Sequence, residues 1–194
     1  MRLSERNQND TLPDLLEPGL NLIVVGTAAG RTSAERRQHY AGPGNRFWRV
    51  LYEIGLTPSE LQPCDYAQLI NHGIGLTDIA KGAFGMDRDL LRSDFDRVRL
   101  RAVIKTTAPR VLAFNGKKAA AYYFFGVPTT KRINYGRQED SIGRTPIYVC
   151  TQTSGGNGHW SREPWEELAR AVKELRVVRW IVSTSRSLDR RSTR

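Results

Sequence analysis

The sequence predicts a single α/β domain built on a parallel sheet with helices on both faces. Three short apolar runs that end in small or polar residues carry this prediction: residues 22–26 (LIVVG), 111–115 (VLAFN) and 147–151 (IYVCT). Such runs are typical of parallel strands buried on both faces. Helical patterns lie between them, and this alternation indicates a doubly wound sheet. With 194 residues, the chain has room for one such core rather than two ordinary domains.

Further elements follow from apolar spacing. A fourth strand is expected around GIGLTDI, residues 73–79. Two amphipathic stretches are predicted, one after Asn45 and one near residue 95, from the apolar residues Phe47, Leu51 and Ile54 and from Leu91, Phe95 and Val98. A final packing helix is predicted over residues 163–175, because Pro164 suits a first helical turn. Its apolar face is formed by Trp165, Leu168, Val172 and Leu175.

The charge of the chain indicates a polyanionic partner. Lys and Arg number 30 against 20 Asp and Glu, which gives a formal net charge of +10. Nucleic acid is the expected partner, because neutralising phosphates releases counterions and drives binding. From Lys105 to Arg137 there are seven basic residues and no acid, and from Arg176 to Arg194 there are six Arg and one acid. Removing the +5 of that last stretch from the +10 total leaves +5 on the rest, so the body should have a basic face of its own.

These features divide the chain into a flexible N-terminus (residues 1–10), one domain (11–178) and a basic tail (179–194). The tail is either a solvated end or an arm that grips DNA. Cys64 and Cys150 form no CxxC pair, and the three histidines form no HExxH pair, so no metal and no cofactor are expected. The N-terminus has no apolar signal region, and no apolar run has membrane-spanning length. We expect a cytoplasmic monomer that does not contact membranes.

Two glycine-rich loops follow predicted strands. GTAAGRT (Gly26–Thr32) fails the Walker A pattern, since only three residues separate its glycines and Arg31 follows; it also fails GxGxxG. It is either an ordinary turn or a loop whose backbone approaches something flat or anionic. In TSGGNGH (Thr153–His159), backbone N–H groups and the hydroxyls of Thr153 and Ser154 suit a DNA phosphate. Two such loops at one sheet edge favour a groove for a DNA strand and an extruded base.

Five blocks in order carry a family resemblance: TLPDLLEPGLNLIVVG, YAGPGNRFW, GIGLTDI, PRVLAFNGKKA and TSGGNGH. Over residues 11–175 the chain resembles the mismatch-specific uracil and thymine DNA glycosylases of the uracil-DNA glycosylase superfamily. The resemblance implies a three-layer α/β/α fold around a short parallel sheet. It also implies base excision repair without a cofactor: the enzyme flips a damaged base out of DNA and hydrolyses the N-glycosidic bond, releasing free uracil.

The resemblance assigns roles to matching residues. Tyr40 matches the aromatic residue that stacks on the flipped base, although a buried structural tyrosine is the other interpretation. The backbone of the first loop, at Gly26, Thr27 and Gly30, would face the base. Ser154, Gly155 and Gly156 would pinch the phosphate and enter the duplex. Ala28 lies in the base pocket where the family has an asparagine that holds the hydrolytic water, and a methyl group cannot replace that amide.

The divergent GTAAG motif resembles the hypoxanthine-DNA glycosylase branch, which also lacks the polar residue of the first motif. That branch is similar in the QHYAGPGNRFW block and uses an asparagine there, which Asn45 matches. Asn45 is therefore either catalytic, positioning water or the base, or the N-cap of the following helix. Both roles coexist only if the two ends of the amide are used separately.

Asp78 stands where relatives carry an asparagine or lysine at the base pocket. Its carboxylate would accept the N3–H of uracil or the N1–H of hypoxanthine, and it would disfavour cytosine. Alternatively it serves as the general base for water, or stabilises positive charge on the sugar. The simplest alternative is a turn or helix-cap aspartate.

Gly156 occupies the position where relatives carry a bulky or charged wedge, and Asn157 would only partly replace it. Activity on single-stranded as well as duplex DNA is therefore expected, because a single strand needs no wedge. His159 would assist the leaving base or bind phosphate, or else it is a solvated histidine. The predicted function is a monofunctional glycosylase for deaminated bases, uracil foremost, with hypoxanthine or xanthine as further substrates. The alternative is a catalytically silent protein that binds damaged or single-stranded DNA.

Overall fold

A five-stranded sheet forms the centre of the computed structural model, which describes residues 10–175. The expectations for residues 1–9 and for the basic tail lie outside the described residues. The strands are β1 (Leu22–Gly26), β2 (Ile74–Asp78), β3 (Val111–Asn115), β4 (Gly136–Ile142) and β5 (Thr145–Cys150). Their order is β2-β1-β3-β5-β4, with β4 antiparallel to β5 and all other neighbours parallel.

Helices connect the strands. They are α1 (Arg31–Arg36), α2 (Phe47–Glu53), α3 (Arg97–Thr107), α4 (Lys117–Phe125) and α5, which starts at residue 163 and continues to 175. Short 3-10 segments occur at Pro63–His72, Asp87–Asp89, Arg92–Asp94 and Thr130–Arg132. In the part of the chain from 10 to 175, none of the helices has the length and apolar character needed to cross a bilayer.

Alternating side chains of the strands feed two separate cores. In β1, Leu22 and Val24 pack with α2 and α5, whereas Ile23 and Val25 pack with α3 and α4. All five residues of β1 are buried, because a central parallel strand is covered on both faces. This arrangement confirms the predicted three-layer α/β/α fold.

The strand predictions agree with the structure at the centre of the sheet. The runs 22–26 and 111–115 are β1 and β3, and β2 covers residues 74–78 of the predicted fourth strand. The last strand, β5, begins and ends earlier than the predicted 147–151, because Thr145 pairs with Ile142 of β4 across a turn at Gly143. Strand β4 was not predicted. Its sequence GRQEDSI is buried mainly at its two ends, which is typical of an edge strand.

The amphipathic stretch predicted around Leu91, Phe95 and Val98 is wrong. The chain forms two 3-10 segments there, and α3 begins only at Arg97. Asp96 caps α3 by accepting a hydrogen bond from the Arg99 N–H at 2.8 Å. Leu91 and Val98 are 67% and 75% exposed, and the helix buries Leu100 and Ile104 instead.

The predictions for the two helices of the other layer are confirmed. Phe47 and Leu51 of α2 are fully buried, and so are Trp165, Leu168 and Val172 of α5. The Trp165 indole N–H donates to the Thr151 carbonyl at 2.9 Å. Because Thr151 directly follows β5, this bond holds α5 against the start of the last glycine loop.

Candidate active site

A cleft of about 460 Å³ opens at the carboxyl edge of the parallel strands. Loops after β1, β2 and β5 and the end of β3 line it, at the place where α/β folds with parallel strands bind their ligands. Its lining residues include Gly26, Thr27, Ala28, Gly30, Tyr40, Asn45, Met86, Asn115, Thr153, Ser154, Gly155 and Gly156. A larger groove of about 630 Å³ lies elsewhere, between α3, α4 and β4, away from these loops.

The floor of the cleft is formed where β1 and β2 end side by side. Gly26 and Asp78 are register partners in the parallel pair. A methyl group on Gly26 would overlap Oδ1 of Asp78 and would lie 3.3 Å from the hydroxyl of Tyr40. The carboxyl group and the phenol therefore converge on the space that the missing side chain of Gly26 leaves open. Asp78 is 6% exposed and lies behind this glycine, outside the cleft lining itself.

Burial is the main influence on the Asp78 carboxyl group and raises its pKa above the ordinary value. The nearby charges of His39 and Lys81 oppose this rise. Both nearby cations form ion pairs with Asp14. Lys81 Nζ lies 2.9 Å from Oδ1 of Asp14, and the Arg99 guanidinium pairs with its other carboxylate oxygen. Within residues 10–175, the ion pairs of both cations thus go to Asp14, and the Asp78 carboxyl is left incompletely compensated.

His39 is a second buried titratable group at this floor, and the sequence patterns did not identify it. Its Nε2 lies 3.0 Å from the Pro13 carbonyl oxygen, so Nε2 carries the hydrogen of this bond. Burial lowers the pKa of His39 below 6.5, and the charge of Asp78 works in the opposite direction. The imidazole of His39 and the carboxyl of Asp78 are thus two buried titratable groups that interact electrostatically.

Tyr40 connects the floor to the wall of the cleft. Its backbone is left-handed, with φ of 54°, a conformation that costs a non-glycine residue energy and that clusters at functional sites. The ring stacks on Phe47 with centroids 3.8 Å apart, so one face is covered while the residue still lines the cleft. Burial raises the pKa of the phenol, Asp78 raises it further, and a hydrogen bond with Asn115 lowers it. Tyr40 is thus both a packed tyrosine and a cleft residue.

Asn115 links the end of β3 to the last glycine loop and to Tyr40, although no sequence motif pointed to a role for it. At the end of β3, its Nδ2 donates to Thr153 Oγ1 at 2.9 Å, and its Oδ1 accepts the Thr153 N–H at 3.0 Å. The same side chain bonds the Tyr40 hydroxyl. The feature of the sequence that could have identified Asn115 is its position: it is a polar residue at the carboxyl end of a fully buried strand. The Thr153 hydroxyl, expected to contact phosphate, is buried and accepts this bond instead.

The amide of Asn45 has a fixed orientation. Its Oδ1 accepts the N–H of Phe47, the first residue of α2, at 3.0 Å. The N-cap interpretation of Asn45 is wrong, because Arg46 is the N-cap of α2 and Asn45 precedes it. A backbone N–H is only a donor, so the oxygen must face the helix and the Nδ2 hydrogens remain for other partners. The next residue, Arg46, holds the last loop: its N–H donates to the Thr153 carbonyl at 2.8 Å and its guanidinium to the Ser154 carbonyl at 3.1 Å.

The last glycine loop (Thr153–His159) contacts the segment between α1 and α2, at Pro43 and Gly44, across the cleft wall. A methyl group on Gly155 would lie 2.7 Å from the Pro43 carbonyl oxygen and 3.2 Å from the Gly44 backbone, so only glycine fits this contact. A methyl group on Gly156 would have nothing within 4 Å, and this residue lines the open cleft. Backbone, rather than side chain, forms this wall.

Two predicted residues of this loop do not reach the cleft lining. Asn157 uses its amide internally, donating to the Gln152 carbonyl at 2.8 Å and accepting the His159 N–H at 3.1 Å. His159 is exposed and lies outside the lining. The structure therefore brings Gly26, Thr27, Ala28, Tyr40, Asn45 and Ser154–Gly156 together around one cleft, with Asp78 behind its floor.

Comparison with known families matches this architecture. The model of the Uracil DNA glycosylase superfamily matches residues 13–176, most of the chain. The chain belongs to the uracil DNA glycosylase superfamily. It is also similar to a solution NMR structure from Methanosarcina acetivorans that carries a provisional uracil DNA glycosylase assignment. The TM-score is 0.58 at 22% identity, covering 84% of this chain and 96% of the other, which shows a shared fold.

Membership in the superfamily indicates a DNA glycosylase, with DNA as its partner. The resemblance drawn from the five sequence blocks is thus confirmed at the level of the superfamily. Between residues 10 and 175, no group of three or more His, Cys, Asp or Glu side chains is placed to hold a metal ion.

Proposed function

We propose that this protein is a monofunctional glycosylase that hydrolyses the N-glycosidic bond of deaminated bases, uracil foremost, in single-stranded and duplex DNA. Hypoxanthine and xanthine are the further expected substrates. The observation that carries the proposal is the convergence of the Asp78 carboxyl and the Tyr40 hydroxyl over Gly26, at the floor of a cleft walled by glycine backbone. A flipped nucleotide needs such a cleft, because its glycosidic bond is inaccessible in the stack.

Asp78 is the proposed general base for water. Ala28 lines the cleft and offers no polar group, so the water must be activated by another side chain. A carboxyl group whose pKa is raised by burial is a stronger base than a solvated one, which suits proton transfer near neutral pH. The Asp78 carboxylate would also stabilise the positive charge that develops on the sugar as the base departs.

Asn45 is the proposed selector of the base. Because Oδ1 faces the helix and accepts the Phe47 N–H, the Nδ2 hydrogens of the amide are the groups oriented to meet a ligand. A donor matches the keto oxygen of uracil, hypoxanthine or xanthine and meets a donor-to-donor mismatch at the amino group of cytosine or adenine. This geometry therefore favours uracil over cytosine, and hypoxanthine over adenine.

Tyr40 and the last glycine loop would hold the substrate. The Tyr40 ring, which stacks on Phe47 and lines the cleft, would stack on the extruded base. The backbone N–H groups around Ser154 and Gly155 would bind the adjacent phosphate, since they border the cleft in a loop fixed by Asn115 and Arg46.

An excision assay tests the proposal. Purified protein is incubated with labelled oligonucleotides that carry U, T, hypoxanthine or xanthine, single-stranded or opposite each normal base, and abasic sites are cleaved with alkali. We expect abasic sites at U in both single-stranded and duplex DNA. Activity confined to G-mismatched duplex would contradict the substrate range.

The same experiment separates an enzyme from a silent binding protein. Ala28 in the water position and the engaged Oδ1 of Asn45 are the features that favour a silent binder. Tight binding of uracil-containing DNA with no abasic product at any base would establish that alternative.

A further inference from the structure

An exposed apolar segment borders the cleft. In residues 84–91, between β2 and α3, Phe84 is 55% exposed, Met86 57% and Leu91 67%. They account for three of the seven large apolar side chains that are exposed within residues 10–175. Only Met86 of these three lines the cleft. Neither the buried cores nor the proposed chemistry explains an unbranched apolar side chain at this position.

Two anchors hold the backbone on either side of Met86. Ahead of it, the Gly85 N–H donates to the Ala29 carbonyl at 2.9 Å, and Ala29 forms a parallel bridge with Phe84. Beyond it, the Asp87 carbonyl accepts a hydrogen bond from Lys118 at the start of α4. The exposed side chain of Met86 thus stands on a backbone that is fixed to the first glycine loop on one side and to α4 on the other.

Met86 shares the cleft with Gly156, which carries no side chain. A flipped base leaves a hole in the duplex, and proteins that disturb base stacking commonly fill such a gap with an apolar side chain such as Met, Leu or Phe. Met suits this position because its flexible thioether adapts to irregular apolar gaps. It makes no hydrogen bond with the opposite base, so it would not select one.

We propose that Met86 is the side chain that enters the DNA base stack when a base is flipped, from a lip of the cleft that the last glycine loop does not form. The inference rests on the proposed function and adds the residue that serves duplex substrates. A single strand has no partner base to hold apart, so Met86 matters for duplex DNA above all.

The test compares excision of uracil from duplex and from single-stranded oligonucleotides under single-turnover conditions. For Met86→Ala we expect the ratio of the duplex rate to the single-strand rate to fall about tenfold. Leu91→Ala is the matched control, because it removes an equally exposed apolar side chain that does not line the cleft. Its ratio should equal that of the parent protein. A Met86→Ala ratio equal to that of Leu91→Ala would overturn the proposal.

A rescue variant adds a second outcome. A Cβ atom at Gly156 would have nothing within 4 Å, so Gly156→Leu introduces an apolar side chain that enters the same cleft from an open position. In the Met86→Ala background we expect Gly156→Leu to restore part of the duplex rate. No recovery, with both proteins folded by circular dichroism, would argue against a gap-filling role.

A readout without chemistry distinguishes failure of this inference from failure of the proposed function. The probe is duplex DNA with 2-aminopurine beside uracil, whose fluorescence rises when the neighbouring base unstacks. A Met86-dependent rise in a protein that releases no base would refute excision and retain the intruding side chain. Excision of uracil with no dependence on Met86 in either readout would retain the proposed function and refute the role of Met86.

Discussion

At the residue scale, burial of Asp78 links stability to chemistry. Its folded-state pKa is raised above the ordinary carboxyl value, so the folded protein binds this proton more tightly than the unfolded chain does. The stability associated with this proton is present at low pH and is lost as pH rises through the raised pKa. Ionisation of the Asp78 carboxyl therefore destabilises the fold, while the ionised form is the proposed base.

Asp78→Asn should separate these two effects. We expect excision of uracil to fall about 100-fold or more, because general bases contribute on that order. The melting temperature should stay or rise, by about 2–4 °C for each kcal/mol recovered. The increase in melting temperature of Asp78→Asn over the parent protein should grow as pH rises above the ordinary pKa range of carboxyl groups. Rates and thermal unfolding are measured across pH 4–8.

Asp89→Asn is the control for loss of one negative charge, since Asp89 is exposed and pairs only loosely with Arg88 at 3.8 Å. It should leave both the rate and the melting temperature near those of the parent. A wild-type rate in Asp78→Asn would move the base to another residue.

A substitution at Asn45 can separate its structural hydrogen bond from its proposed contact with the base. Asn45→Asp keeps an oxygen that accepts the Phe47 N–H, a favourable arrangement at a helix start, but removes the Nδ2 donor. We expect normal folding with uracil excision reduced about 10- to 100-fold, the range for one lost hydrogen bond to substrate. Asn45→Ala should lose activity and also melt lower, because the helix start loses its acceptor. Full activity in Asn45→Asp would show that the residue serves only to accept the Phe47 N–H.

The sequence could identify the residues of the cleft that lie in local motifs, and not those that depend on distant contacts. Gly26, Tyr40 and Asn45 stand in readable blocks of sequence. Asp14 and His39 reach Asp78 only through the fold, and no spacing along the chain connects them. His159 illustrates the converse, since a motif position close to the site carries an exposed side chain that lies outside the cleft lining.

At the element scale, the wall of the cleft depends on contact between two loops. Gly155→Ala would place a methyl group against the Pro43 carbonyl, so one loop must move. Overpacking of this kind costs about 1–3 kcal/mol. We expect a lower melting temperature and about tenfold weaker binding to DNA carrying an abasic-site analogue, measured by fluorescence anisotropy.

Gly156→Ala is the matched control, one residue along the same loop with open space around it. Stability and DNA affinity should both remain near those of the parent protein. Equal losses in the two variants would mean that general loop stiffness, rather than the contact with Pro43, determines the shape of the wall.

Elements with strong apolar runs could be predicted and those governed by capping or pairing could not. The three central strands are continuous apolar runs, and burial on both faces requires that pattern. Strand β4 is polar because it pairs on one edge only, so its hydrogen bonds rather than its side chains define it. The stretch around Leu91 had helical spacing, but Asp96 caps a helix that starts later.

At the scale of the whole molecule, acid sensitivity should reflect buried histidine. The folded-state pKa of His39 lies below 6.5, so the unfolded chain binds the proton first as pH falls. Stability is therefore present above 6.5 and lost below it, by up to about 1.4 kcal/mol per pH unit. We expect His39→Gln to flatten this part of the stability curve, measured by urea unfolding between pH 5 and pH 7.5.

His159→Gln, on an exposed side chain, is the control and should keep the slope of the parent protein. An unchanged slope in His39→Gln would assign the acid sensitivity to other groups. The Gln side chain retains a donor for the Pro13 carbonyl, so the N-terminal contact with the floor of the cleft is kept.

The neighbouring ends of β1 and β2 also set a rule for sequence variation. A side chain at Gly26 and the carboxyl group of Asp78 would occupy the same space, so a larger side chain at one position requires a smaller one at the other. Among natural relatives, the two sites should covary: a chain with alanine at the first should carry glycine, alanine or serine at the second. Such a chain would lack the carboxyl group, and it would need a different catalytic group to hydrolyse the glycosidic bond.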